Sequence, residues 1–231
     1  MPYYKCVFFD LDHTLWDYET NSAETLQELF LQHKLQEKGI DTYADFQKTF
    51  AKINANLWDQ YDVGKIHRDV IRYERFHKIL LHLGIDDYEL SLTLSNDYVS
   101  ESPKKSGLMP NAIEILDHLT SKYSLCIITN GFEEIQSTKL VSSGIIHYFK
   151  SVVTSARAGH KKPAKEIFEF ALTENGFQAS ETIMIGDNLL TDIAGARNAS
   201  IDTVFFNSNK ITHQEKVNYE IHDLMELRNI I

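Results

Sequence analysis

Two aspartates one residue apart, Asp10 and Asp12, follow the apolar run Cys-Val-Phe-Phe and are themselves followed by Thr14. Three further groups stand at comparable places. Thr129-Asn130-Gly131 closes the run Leu-Cys-Ile-Ile, Lys161-Lys162-Pro163 comes shortly after Ser-Val-Val-Thr, and Gly186-Asp187-Asn188, with Asp192 beyond it, closes Thr-Ile-Met-Ile. Carboxylates gathered at one point repel one another, and one is forced to hold its proton unless a cation is bound. Asp10, Asp12 and Asp187 with solvent make a hard oxygen site suited to Mg²⁺. Thr129, the backbone amides after it and Lys162 add hydrogen-bond donors and a positive charge. Such a set suits a phosphoryl group, whose transfer is governed by positioning and charge neutralisation. A carboxylate nucleophile can also split a hydrolysis into two easier steps.

These groups need elements to hold them. Five short runs, rich in β-branched and aromatic residues and bounded by turn chemistry, read as strands over 5–9, 125–129, 151–154, 182–185 and 203–206. Helical patterns at 132–143, 164–175 and 189–199 separate the last four, and another at 111–121, with Pro110 at its start, precedes the second. This alternation implies an α/β fold with a parallel sheet covered on both faces, whose ligands bind at the carboxyl ends of the strands. More than a hundred residues separate the first two strands, holding only helical patterns near 22–38, 43–59, 68–83 and 88–99. Gly39, Gly64 and Gly84 stand at their breaks as C-cap glycines would, and Thr42 with Asp45 reads as an N-cap. A βαβ crossover is never that long. The expected division is a core of 1–16 and 107–231 with an inserted helical domain of 17–106.

With 23 Lys+Arg against 33 Asp+Glu, the chain of 231 residues carries a net charge of −10. That balance argues against nucleic-acid or anionic-membrane partners. A local cation can still reverse the field at one site, so a small anionic substrate remains compatible. Cys6 and Cys126 lie inside apolar runs and read as buried free thiols of a reducing compartment. No stretch approaches the ~20 apolar residues of a spanning helix, and MPYYKCVFFDLD has no leader pattern. The expected location is the cytoplasm.

Asp10-x-Asp12-x-Thr14, Thr129-Asn130-Gly131, Lys162-Pro163 and Gly186-Asp187-x₄-Asp192 together resemble the four motifs of the haloacid dehalogenase (HAD) superfamily, in its order. No P-loop and no dinucleotide GxGxxG competes with them. The resemblance implies a Rossmann-like core with a helical type 1 cap, and Mg²⁺ as cofactor. By position it makes Asp10 the nucleophile and a metal ligand. Asp12 becomes a ligand through its carbonyl and a general acid, then base, through its side chain. Thr129, Asn130 and Gly131 fall at the substrate phosphate, Lys162 neutralises charge, Asp187 ligates the metal and Asp192 supports it from behind. Dehalogenases resemble this pattern but lack an acid at the position of Asp12, because halide needs no proton, so a phosphatase is expected.

The opening FFDLDHTLWD and the closing YEIHDLMEL are similar to the YjjG-type pyrimidine 5′-nucleotidases. A sugar-phosphate phosphatase, such as one for sialic acid 9-phosphate, or a phosphomutase remains an alternative. The implied partner is a small phosphorylated metabolite, with the enzyme a monomer or homodimer.

Other residues take plainer readings. Phe30, Phe46, Phe50, Trp58 and Phe76 read as the core of the insert, and Arg68, Arg72 and Arg75 as a solvated stripe. His13 reads as structural. Trp16, Asp17 and Tyr18 either line a leaving-group pocket or pack a hinge. Of the two lysines, Lys162 is expected at the site and Lys161 away from it. Pro163 is placed in the first turn of the next helix, with that helix N-terminus beside the phosphate.

Overall fold

The computed structural model describes residues 4–231. Six parallel strands lie in the order β3-β2-β1-β4-β5-β6: β1 Cys6–Phe9, β2 Ser124–Thr129, β3 Phe149–Thr154, β4 Thr182–Gly186, β5 Asp202–Phe206 and β6 Tyr219–Ile221. The sixth, three residues at the sheet edge, is too short to stand out in the sequence. Alternate residues along each strand feed two cores. Val7, Phe9, Ile127, Ile183 and Ile185 face one side with helix α5 (Ala112–Thr120), while Cys6, Phe8, Cys126, Ile128 and Met184 face the other with α8 (Lys165–Asn175). Each such aliphatic or aromatic side chain stabilises the fold by about 1.5–3 kcal/mol, which explains why the strands read as continuous apolar runs. Both cysteines are buried free thiols, 4.0 Å apart at sulfur. This is a Rossmann-like α/β core. Its chain order reverses between β1 and β4, where such sheets form their ligand crevice.

The chain divides into two compact units: the segment ending at Tyr18 together with Ser106–Ile231, and Glu19–Lys105. The second is helical, built from α1 (Tyr18–Gln32), α2 (Tyr43–Asp62), α3 (Arg75–His82) and α4 (Tyr88–Glu101). Thr42 caps α2 by accepting from the Asp45 amide at 3.1 Å. Phe30, Phe46, Phe50 and Phe76 are buried in its core, whereas Trp58 lies outside that cluster, edge-on to Tyr61.

The arginine stripe is not uniform. Arg68 is exposed, but Arg75 is buried, its Nη1 donating to Asn54 Oδ1 at 2.8 Å. Its guanidinium lies 4.5 Å from the Tyr98 ring centroid and 5.1 Å from that of Phe50. A π-helical turn, Val70–Glu74, precedes it and shifts the helix face, so regular helical spacing misplaced this residue. No helix among the described residues is long and apolar enough to cross a membrane.

Candidate active site

β1 stops at Phe9 and the chain winds tightly: the Leu15 and Trp16 amides both donate to the Leu11 carbonyl, at 2.9 and 2.8 Å. His13 takes φ 63, a left-handed conformation uncommon outside glycine, and its ring lies 4.8 Å from that of Tyr18. The turn sends Asp10 and Asp12 to different partners.

Asp10 joins a buried ionic cluster. Lys162, 2 % exposed, donates through Nζ to Asp10 Oδ1 and to Asp192 Oδ1, both at 2.6 Å, and to the Ile128 carbonyl at 2.9 Å. All three ammonium hydrogens are thereby used. Asp187 accepts from Thr14 Oγ1 at 3.1 Å. One carboxylate oxygen from each of Asp10, Asp187 and Asp192 lies within 4.8 Å of the others. One lysine against three carboxylates leaves two negative charges uncompensated when all are ionised. Burial, reinforced by the Asp192 charge, pushes the Asp187 carboxyl up to about 7. Burial raises Asp10 well above the ordinary carboxylate range, with Lys162 only partly opposing. Burial alone would lower Lys162, but Asp10 and Asp192 outweigh it and hold the ammonium protonated. An all-oxygen donor set with two excess negative charges fits a hard divalent cation.

Local sequence builds this cluster. Asn130 clamps the main chain of Lys162, its Nδ2 donating to the Lys162 carbonyl at 2.9 Å and its Oδ1 accepting the Lys162 amide at 2.8 Å. Asn188 caps the π-helical turn Leu189–Ala194 by accepting from the Leu190 and Thr191 amides, and its own amide donates to Asp192 Oδ2 at 3.1 Å. Gly186 must lack a side chain, since a Cβ there would fall 2.3 Å from Asp192 Oδ2.

The expected helix is present, but it starts beyond Pro163. α8 begins at Lys165 behind Ala164, leaving Pro163 outside it, joined to Lys162 by a cis peptide. The Asn130 clamp, and not a helix end, sets Lys162. Lys161 is half-buried, whereas Lys162 is almost fully buried.

The Asp12 side chain is not among the three clustered carboxylates, where Asp192 stands with Asp10 and Asp187. Asp12 Oδ1 accepts from Lys139 Nζ at 2.5 Å and Oδ2 from Gln136 Nε2 at 2.8 Å. Burial would raise this carboxyl, but the Lys139 charge and the two hydrogen bonds outweigh it and hold it below its ordinary value. Gln136 Nε2 also donates to Thr129 Oγ1 at 2.8 Å, which accepts the Gly131 amide at 3.0 Å as well. With both lone pairs engaged, the Thr129 hydroxyl hydrogen is free to be donated. Gly131 is required by the same arrangement, because a Cβ there would fall 1.9 Å from Gln136 Nε2.

Residues 4–200 match the family described as haloacid dehalogenase-like hydrolase. The chain belongs to this family. As a HAD-like hydrolase it is an enzyme, and several relatives match it nearly end to end. The crystal structure of the HAD-hydrolase YfnB from Bacillus subtilis, bound to magnesium, superposes with a TM-score of 0.88 at 30 % identity, covering 99 % of this chain and 98 % of that one. The pyrimidine 5′-nucleotidase PynA of Streptococcus pneumoniae is 30 % identical over 97 % of this chain and 94 % of its own. The pyrimidine 5′-nucleotidase YjjG of Escherichia coli is 28 % identical over 97 % and 96 %.

Gln136 and Lys139 in this HAD-like site went unnoticed in the sequence, as did the bond from Thr14 to Asp187. A signal for the first two was present. On α6 (Glu133–Ser142) the buried positions are Gln136, Lys139 and Leu140, so the helix turns a polar face inward directly after Thr129-Asn130-Gly131. Trp16 does not line an open pocket: it is fully buried, with the Lys139 ammonium 4.3 Å from its ring centroid.

Proposed function

We propose that this hydrolase is a Mg²⁺-dependent phosphatase that works through an aspartyl-phosphate on Asp10, with pyrimidine nucleoside 5′-monophosphates as preferred substrates. In the first step an Asp10 carboxylate oxygen bonds to phosphorus as the bond from phosphorus to the ester oxygen breaks, and Asp12 gives that oxygen its proton. In the second, water attacks phosphorus, its proton passes to the Asp12 carboxylate, and Asp10 and inorganic phosphate separate. Asp12 as Lys139 holds it is in the form the second step needs; the first requires it to take up a proton as substrate binds.

Asp10, Asp187 and the Asp12 carbonyl would hold Mg²⁺, which supplies charge neutralisation on the transferring group. Lys162 adds fixed positive charge at Asp10, and Thr129 turns its free hydroxyl hydrogen toward a phosphoryl oxygen. Asp192 and Asn130 hold Lys162 in place. The observation that carries this reading is the separation of the two aspartates. Asp10 lies in the Lys162 cluster, while Asp12 is held on its own by Lys139 and Gln136. A dehalogenase has no use for the second.

The pyrimidine preference draws support from PynA and YjjG, and the helical unit, read as a cap, would set it. The reading places the enzyme in the cytoplasm with a small phosphorylated metabolite as its partner. Phosphate release from a panel of nucleotides and sugar phosphates with Mg²⁺, and with chelator, tests it. UMP or dTMP should lead and chelation should abolish turnover. A panel led by a sugar phosphate, with nucleotides near background, would overturn the substrate class.

A further inference from the structure

We infer that Lys139 is a positioning residue for proton transfer by Asp12, acting with Gln136 from one face of α6. The inference rests on the phosphatase reading above and deepens it. Lys139 is 5 % exposed, and a buried ammonium is costly unless paired. It has two kinds of partner: the Asp12 carboxylate at 2.5 Å, and the aromatic faces of Trp16 and Tyr18, whose centroids lie 4.3 and 5.8 Å away.

Four features go beyond charge compensation. Lys139 takes one oxygen of Asp12 and Gln136 takes the other, so the carboxylate cannot rotate. The two donors are three residues apart on one helix, hence rigidly related. The Gln136 amide that binds Asp12 also binds Thr129 Oγ1 at 2.8 Å, so one side chain fixes the distance between the proton-transferring group and the phosphate-side donor. Trp16, on the same turn as Asp12 and joined to it by a β-bridge, gives the lysine its aromatic floor. Orientation of this kind is where a displacement of about 1 Å can change a rate by about 10².

A leaving-group comparison tests this. The value kcat/KM reports the steps through departure of the leaving group. A nucleoside 5′-alkoxide needs the Asp12 proton, whereas 4-nitrophenolate, a far weaker base, scarcely does. Lys139→Met should lower kcat/KM for UMP by about 10–10²-fold and for 4-nitrophenyl phosphate by under about threefold. Lys139→Arg, which keeps a donor and the charge, should recover part of the loss on UMP. Should Lys139→Met fail to fold, Gln136→Leu should show the same split, since it releases the other oxygen. An equal loss on both esters would overturn the inference, because Lys139 would then act on the phosphate or on the fold. A wild-type enzyme inactive toward both esters would instead overturn the phosphatase reading and this inference with it.

Discussion

Each unit of the chain buries a strong cation, and the two handle it in opposite ways. In the helical unit Arg75 has one amide oxygen and the faces of Tyr98, Phe50 and Phe76, the last centroid at 5.5 Å; its Nε, also buried, has no hydrogen-bond partner. No carboxylate is paired with it among the described residues. In the α/β unit Lys162 meets two carboxylates at 2.6 Å with a third close by. The first environment gives its cation one amide oxygen and three ring faces and brings no negative charge to it. The second oversupplies negative charge, and the excess is what a divalent cation can use. What separates the two is the excess of carboxylate around Lys162, since a buried cation alone, as at Arg75, supplies no metal ligands.

The comparison is sharpest at the lysines. Lys162→Ala should reduce turnover at saturating Mg²⁺ by about 10²–10³-fold, by analogy with loss of a preorganised oxyanion donor, while Lys161→Ala should change it little. A severe loss from Lys161 with a mild one from Lys162 would break the account of the cluster. Next come the two glycines that make room for polar side chains. Gly186→Ala, aimed at the Asp192 carboxylate, and Gly131→Ala, aimed at Gln136, should each cost about 1–3 kcal/mol of stability in denaturant titrations and about tenfold in turnover. Wild-type behaviour at both positions would mean that neither side chain needs its present place.

Arg75→Met probes the other half of the contrast. It should cost about 1–3 kcal/mol of stability and leave kcat/KM for 4-nitrophenyl phosphate within about twofold. Collapse of activity at an unchanged Tm would show Arg75 to be more than structural. The smallest effect concerns pH. Asp187 is pushed up to about 7 in the fold, above an ordinary aspartate near 4. Its ionisation therefore opposes folding, so the metal-free protein loses stability from this group as pH rises from about 4 to about 7. Mg²⁺ binds the ionised form, so the rise in Tm on adding it should grow through the same window. A Tm shift equal at pH 5.5 and pH 8 would contradict this.

Much of the sheet was legible because strands covered on both faces become short unbroken apolar runs, and because the groups at their carboxyl ends follow directly in sequence. Asp10, Thr129 and Asp187 are such groups, and the structure puts each at a strand end or one residue beyond. What stayed hidden depends on lateral packing. Nothing local to Asp12 points to Lys139, which is 127 residues away, nor anything local to Thr14 to Asp187. The π-helical turns before Arg75 and around Asp192 defeat a regular helical period, so one arginine expected in solvent is buried. Pro163 suggested a helix start where the chain in fact makes a separate turn held by Asn130.

The central claim is that phosphorus is transferred to Asp10. The direct measurement is rapid acid quenching of Asp12→Asn protein mixed with Mg²⁺ and 4-nitrophenyl phosphate, followed by mass spectrometry of the peptide that carries Asp10. Without the Asp12 base the adduct should accumulate, giving a stoichiometric burst of nitrophenolate and a phosphate on Asp10. Continued turnover with no phosphate on Asp10, or the phosphate found on another residue, would contradict the account.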